Sequence, residues 1–235
     1  LPFLEAIRQM RKDVGPENTL FVHVTLIPTV GPWAEIKTKP TQHSVINLRQ
    51  IGISPDVLIC RTEEALPEDV KEKISLFCDV PANAVVDSLT VKTIYEVPLT
   101  YEAMGLGDLV VERLGLEKHP SRLEEWAALV QTLKNPTKSV RIGVVGKYTS
   151  NGDAYKSIGE SLIHAGIPHD CKVEIQWIES DTLEDVADPT ALLVGLDGLV
   201  VGPGFGLRGI EGKIEAVRHA RETGMPFLGI CLGMQ

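Results

Sequence analysis

From Val140 onward the sequence alternates apolar strand-like runs with amphipathic helical stretches, and that rhythm restricts the fold more than any other feature of the chain. The spacing predicts strands over Val140–Val145, Lys172–Ile178, Leu199–Val201 and Pro226–Ile230. Between them it predicts a helix over Asp153–Gly166 with Ala154, Ile158, Leu162 and Ala165 inward, a mixed helical excursion over Ser180–Leu196, and a helix over Ile210–Thr223 with Ile214, Val217 and Ala220 inward. Strands that alternate with helices imply a parallel, doubly wound sheet. All loops at the carboxyl ends of such strands face one side, so Lys147, Tyr148, the Gly202–Gly209 loop and Cys231 should converge there.

The last predicted strand is a short buried one, and it runs into Gly229-Ile230-Cys231-Leu232-Gly233, the spacing of a nucleophile elbow. A nucleophile on a tight turn sits in a strained backbone conformation, so residues two places before and after it must lack side chains. A helix should follow, with free N–H groups and a dipole that favour thiolate and oxyanion. The chain stops at Gln235, so the sequence reads as a piece of a longer enzyme with both domains cut by its ends. A cysteine packed in a glycine-rich strand is the competing interpretation. The loop Gly202-Pro203-Gly204-Phe205-Gly206-Leu207-Arg208-Gly209 carries four glycines after a strand and lacks a Gly-Lys-Ser/Thr ending. Beside a cysteine nucleophile, donation to an oxyanion is its better role, with a wide structural turn as the alternative.

The first half is less regular. Phe3, Ile7, Met10 and Val14 lie at helical spacing, Thr19–Ile27 is β-branched and aromatic, and Pro28–Pro32 reads as a loop. His23 reads as a strand residue facing a pocket or the core, with a catalytic base as the alternative. The polar run Lys37-Thr38-Lys39-Pro40-Thr41-Gln42-His43, just before a helix beginning near Thr41, has the groups of an anion site, or of a solvated loop with two lysines. An alternating strand, Asp56–Arg61, puts Arg61 at a carboxyl end, and a helix starts from Pro67 with Lys71 and Lys73 on it. A short strand spans Ala84–Val86. Small helices follow over Val91–Tyr95, Pro98–Met104 and Leu109–Leu114, then a helix over Ser121–Leu133 with Ser121 at its cap. The expected organisation is 1–118, a linker with one helix over 119–139, and 140–235.

A net charge of −9 excludes a broad electrostatic grip on nucleic acid. No apolar run approaches the roughly 18 residues of a membrane span. Leu1 to Glu5 lacks a signal-peptide start, and Cys60, Cys78, Cys171 and Cys231 show no paired spacing, which together suggest a cytoplasmic protein with reduced thiols and no metal site of its own.

Gly204-Phe205-Gly206, Arg208-Gly209 and Gly229 to Gln235 resemble the class I, triad-type glutamine amidotransferases. With Lys37 to Ser44, Pro55 to Arg61, Val145 to Tyr148 and Asp153-Ala154-Tyr155, nearly the whole chain is similar to the CTP synthase family. The resemblance implies two Rossmann-like domains, an amidoligase part followed by a glutaminase part. It implies amination of UTP to CTP with ATP, Mg2+ and glutamine-derived ammonia, GTP as activator, and a homotetramer. It places Cys231 as nucleophile, Gly204 and Leu232 as oxyanion donors, and Gly204, Leu232, Gly233, Met234 and Gln235 around glutamine. Lys37, Thr38, Lys39, Pro40, Thr41, Gln42 and Lys73 fall at UTP and CTP contacts, Arg61 and Val91 near ATP, and Phe205, Arg208, Gly209 and Glu211 in a GTP-responsive lid. The family usually shows Pro-Gly-Gly-Phe-Gly where this chain has Gly202-Pro203-Gly204-Phe205-Gly206, so Pro203 removes one backbone donor. The family's P-loop and magnesium ligands would lie before Leu1 and its triad histidine and glutamate after Gln235, so the fragment alone should be inactive. Another cysteine-elbow hydrolase, or a non-catalytic glutaminase-like module, is the alternative.

Overall fold

The computed structural model describes residues 2–151 and 153–235. The chain folds as two compact units, Leu1–Ala127 and Ala128–Gln235.

In the first unit three parallel strands, β1 (Val22–Leu26), β4 (Val57–Thr62) and β5 (Val85–Leu89), lie in the order β1-β4-β5. Leu58 and Cys60 of β4 pack into a core with Val45 of α2 (Lys39–Gln50) and Ile74 of α3 (Glu68–Cys78). Val57 and Ile59 face the other way, into a core with Tyr101 of α4 (Val97–Ala103) and with Leu106 and Leu109 of α5 (Leu106–Arg113). Helices on both faces explain why β4 is apolar almost throughout rather than alternating as the sequence suggested.

Several expectations for this unit are corrected. The stretch taken as a Pro28–Pro32 loop carries a small antiparallel ribbon, β2 (Thr29–Val30) with β3 (Glu35–Ile36). Such two-residue strands leave no periodicity to read. α2 starts at Lys39 rather than near Thr41, because Pro40 fits a first turn where no N–H partner is needed. α1 (Pro2–Val14) forms as predicted, yet its apolar positions Phe3, Ile7, Met10 and Val14 are exposed. The short strand near Ala84 runs from Val85 to Leu89, after a 3-10 turn over Ala82–Ala84. A 3-10 turn over Ile94–Glu96 replaces the first of the small helices. α6 begins at Glu124, three residues after the expected Ser121 cap, and runs to Lys134; the division between the units falls within it.

The second unit is a four-stranded parallel sheet of β6 (Lys138–Gly146), β7 (Cys171–Glu179), β8 (Gly198–Val201) and β9 (Phe227–Gly229), in the order β7-β6-β8-β9. The winding reverses at β6, which has β7 on one side and β8 on the other, so the unit is doubly wound and its crevice opens at the carboxyl ends of β6 and β8. One face is closed by α8 (Ser180–Asp185) and α9 (Ile210–Thr223), with Leu183, Ala216 and Ala220 packed on Val145, Leu199 and Val201. The other carries α7 (Lys156–Gly166), whose Gly159 lies against Trp177 of β7.

Three details differ from the sequence reading. α7 starts at Lys156 rather than Asp153, and its buried positions are Gly159 and Gly166 rather than Ala154 and Ala165, which are exposed. Tyr155, just before the helix, is buried against the ends of β6 and β8 instead of turning with it. On α9 the buried residues are Gly212, Lys213, Ala216 and Ala220, while Ile214 is 44% exposed. Among the described residues β9 pairs with β8 alone, and its Phe227 and Leu228 are exposed where the sequence suggested burial, since an apolar run does not reveal whether a neighbour covers it.

Candidate active site

β9 pairs with β8 through Val201 opposite Gly229, and the Ile230 N–H extends the ladder to the Val201 carbonyl at 2.9 Å. The chain then turns sharply. Cys231 has φ +54, the left-handed region that costs a residue with a Cβ about 1 kcal/mol or more. Residues Cys231–Gly233 form a 3-10 turn, and the Cys231 carbonyl accepts from the N–H groups of Met234 (3.0 Å) and Gln235 (3.2 Å). Both flanking glycines are required by space. A Cβ on Gly229 would lie 2.5 Å from the Gly233 carbonyl oxygen, and one on Gly233 would collide with the Val201 carbonyl. The result is an exposed thiol at the carboxyl edge of the sheet.

The Gly202–Gly209 loop begins beside this turn and ends at Gly209, the N-cap of α9. Two lysines hold it from within. Lys147, at the end of β6, donates from Nζ to the carbonyls of Phe205 (2.7 Å) and Gly206 (2.8 Å). Lys213, in the first turn of α9, donates from Nζ to those of Gly202 (2.8 Å) and Pro203 (2.9 Å). Each lysine is only 4% exposed, and neither forms an ion pair among the described residues. Burial pushes the Lys213 ammonium below its ordinary pKa, the nearby Lys147 charge adds to that, and Cys231 opposes it. The Lys147 N–H in turn donates to the Tyr155 hydroxyl at 2.9 Å. The Tyr155 ring packs against Gly202 and lies 6.1 Å from that of Trp177. Burial raises the Tyr155 pKa and keeps the phenol protonated.

The outer part of the loop is open, with Phe205 91% and Leu207 90% exposed. Arg208 is tied down, pairing with Asp181 at 2.6 Å and lying 4.8 Å over the Tyr148 ring. Glu211 is exposed on α9. Beside the turn is a cavity of about 380 Å³, lined by Val201, Lys213, Leu232, Gly233, Met234 and Gln235 among others. Lys147, Tyr148, the glycine loop and the cysteine turn therefore meet at one end of the sheet, as the winding predicts. Lys213 was missed by the sequence reading. Its signal is a single cation on the helical face shared with Ala216 and Ala220, where an inward stripe otherwise holds only small residues.

In the first unit, residues 37–42 straddle the start of α2. Thr38 is its N-cap and Lys39, Pro40, Thr41 and Gln42 its first turn. The polar side chains split into two groups. Thr41 donates to the Leu26 carbonyl (3.1 Å) and bonds the Thr25 hydroxyl (2.9 Å), and Gln42 donates to the Thr38 hydroxyl (3.1 Å), so these are buried and used internally. Lys37 pairs with Glu35 at 2.5 Å, Lys39 lies 5.8 Å over the Phe77 ring, and Lys73 is exposed on α3. Arg61 is anchored at the end of β4 by Nη1 contacts to the carbonyls of Ser88 (3.3 Å) and Leu89 (3.2 Å). Val91 lies in the loop after β5. His23 bonds Ser44 at 2.8 Å, and burial lowers its pKa, which favours the neutral ring. No group of three or more His, Cys, Asp or Glu side chains able to hold a metal occurs among the described residues.

The sequence matches the family description "CTP synthase N-terminus" over residues 1–116 and "Glutamine amidotransferase class-I" over 152–235. Proteins named CTP synthase from Herpetosiphon aurantiacus and Desulfitobacterium hafniense are each 54% identical over 235 residues, covering 100% of this chain and 44% of the relative. The chain belongs to the CTP synthase family. An archaeal member, the CTP synthase of Methanocaldococcus jannaschii, is 53% identical over 240 residues, again with 44% of its length covered. The chain thus spans less than half the length of the CTP synthases it matches. Among solved structures, the Trypanosoma brucei CTPS glutaminase domain with bound acivicin is 38% identical over 41% of this chain and 38% of its own, with a TM-score of 0.38. No helix among the described residues is long and apolar enough to cross a membrane.

Proposed function

We propose that the chain forms part of an enzyme that aminates UTP to CTP, using ATP to activate the uracil 4-oxygen and ammonia released from glutamine to displace the phosphate. Residues 1–118 belong to the amidoligase part and 140–235 to the glutaminase part. The observation that carries the reading is Cys231 at φ +54 between two glycines that cannot bear side chains, on an exposed turn beside a glycine-rich loop.

In this reading the Cys231 thiolate attacks the glutamine side-chain carbonyl carbon. The tetrahedral oxyanion collects donation from the N–H groups of Gly204 and Leu232; as it collapses the proton given up by the thiol passes to the amide nitrogen, the C–N bond breaks, and ammonia leaves behind a thioester. Water then cleaves the thioester to glutamate and restores the thiol. Gly233, Met234 and Gln235 line the glutamine pocket. The family's triad histidine and glutamate are assigned to none of this chain's residues. Phe205, Arg208, Gly209 and Glu211 form the GTP-responsive lid, consistent with the exposure of Phe205 and the side-chain latch on Arg208.

Lys37, Lys39 and Lys73 supply charge for the triphosphate of UTP and of the inhibitor CTP. Thr38, Pro40, Thr41 and Gln42 shape that end of α2. Arg61 and Val91 lie toward ATP. The full assembly is a cytoplasmic homotetramer, and the four unpaired thiols suit a reducing compartment.

Cys231→Ser in the full-length enzyme tests the reading. A hydroxyl is far harder to ionise than a thiol, whose ordinary pKa is about 8.5, so glutamine-dependent CTP formation should fall by several orders of magnitude. CTP formation from added ammonia should survive, because ammonia bypasses the cysteine. Equal loss with both nitrogen sources would make Cys231 structural, and persistence with glutamine would put the nucleophile elsewhere.

A further inference from the structure

Two buried ammonium groups a short way apart, with no carboxylate partner among the described residues, are costly: each has left water and each repels the other. Apolar side chains would fill the same space without that cost. What the lysines obtain is four carbonyl oxygens of one loop, those of Gly202, Pro203, Phe205 and Gly206. The peptide bonds of the described residues are trans, and in a trans peptide the carbonyl of one residue and the N–H of the next point in opposite directions. Holding the Pro203 carbonyl toward Lys213 therefore aims the Gly204 N–H away from it. Holding the Phe205 and Gly206 carbonyls toward Lys147 does the same for the N–H groups of Gly206 and Leu207. None of the N–H groups from Gly204 to Gly209 donates to a described residue, so the loop presents a row of free donors backed by bound carbonyls. Proline at 203 can supply no donor, which leaves the 203–204 peptide as the first in the loop able to offer an N–H.

We infer that Lys213 is a positioning residue for glutamine hydrolysis: by binding the Pro203 carbonyl it locks the 203–204 peptide so that the Gly204 N–H meets the oxyanion, and Lys147 braces the 205–206 and 206–207 peptides further along the loop. The inference rests on the proposed glutaminase reading. It differs from a packing role in what it stabilises, since the locked donor matters for the tetrahedral oxygen and little for ground-state glutamine.

The test is Lys213→Met in the full-length enzyme, which keeps the length and apolar stem but removes the donor. The kcat for glutamine hydrolysis should fall about 10- to 100-fold, somewhat less than removal of an oxyanion donor outright, with the glutamine KM nearly unchanged. The aldehyde analogue of glutamine, whose adduct with the Cys231 thiol carries a tetrahedral oxygen, should lose affinity by a similar factor. Ammonia-dependent CTP formation should be retained. Lys147→Met should lower kcat less, because the peptides it braces lie beyond the first donor. An unchanged kcat, or a raised KM at unchanged kcat, overturns the inference; so does aldehyde affinity that stays at the wild-type value while kcat falls. If Lys213→Met does not fold, Lys213→Leu, which also removes the donor, and Lys147→Met carry the same measurements. If the unsubstituted enzyme shows no glutamine-dependent activity, or Cys231→Ser retains it, the underlying glutaminase reading fails instead.

Discussion

In the second unit the groups proposed to meet the ligand are backbone N–H groups, held from behind by buried lysines, whereas in the first unit they are lysine side chains at the surface. The glutaminase-like end is fixed by collisions and bound carbonyls: Gly229 and Gly233 have no room for a Cβ, and four loop carbonyls are occupied. At the start of α2 the rigid polar groups, Thr41 and Gln42, are already satisfied within the unit, whereas Lys37 and Lys39 beside them and Lys73 on α3 are partly or fully exposed cations. A developing oxyanion is small, and its stabilisation depends steeply on where the donors sit. A triphosphate is large and highly charged, so cations with loose placement suffice, each contributing modestly through a screened interaction.

The contrast between the units can be broken most visibly at Gly233. Gly233→Ala drives a methyl into the Val201 carbonyl, and relief requires the turn to open. Since misplacement by about 1 Å costs on the order of 100-fold in rate, glutamine-dependent CTP formation should fall at least about that far while ammonia-dependent formation persists. Retention of full activity would show that the cysteine turn is adaptable after all, and the contrast would dissolve.

Lys39→Ala probes the other side. Loss of one exposed cation should weaken UTP saturation and CTP inhibition together, each by about tenfold, equivalent to about 1.4 kcal/mol. Glutaminase activity measured without nucleotide should not change. An effect on UTP alone would show that the two nucleotides do not share the cationic segment.

The smallest effect separates the units by their thiols. Burial, reinforced by Asp87, pushes Cys60 up to about 12, and burial also raises Cys78. A group whose folded pKa is raised contributes stability that is present below its unfolded value, near 9, and is lost as pH climbs toward the folded value. The urea midpoint for exposing Cys60 to a thiol reagent should therefore be flat up to about pH 8.5 and decline by about pH 10. In the native protein at about pH 8, Cys231 should react first and Cys60 and Cys78 last, in keeping with their exposure. Fast native labelling of Cys60 would contradict the buried β4 environment.

What could be read in the sequence follows the same division between backbone constraint and tertiary partnership. α9 was legible to the residue because Gly209 and Gly224, both at positive φ, mark its ends and its period is regular. The cysteine turn was legible because steric need writes glycine at fixed offsets. The exposure of β9 was not, since Phe227 and Leu228 look the same whether or not a neighbour covers them. Lys213 was overlooked because a lysine is ordinarily a surface residue, and only the folded loop supplies the carbonyls that make burial tolerable. Likewise the early start expected for α7 failed at Tyr155, whose ring is committed to the roots of the loop rather than to a helical turn.

That commitment of Tyr155 has an optical consequence. Its ring lies 6.1 Å from Trp177, and Trp177 is one of only three tryptophans, the others being Trp33 and Trp126 in the first unit. With those two changed to phenylalanine, the chain has a single indole emitter next to the residue whose hydroxyl receives the Lys147 N–H and whose ring abuts Gly202. Emission from Trp177 then reports the root of the glycine loop, in real time and without a label.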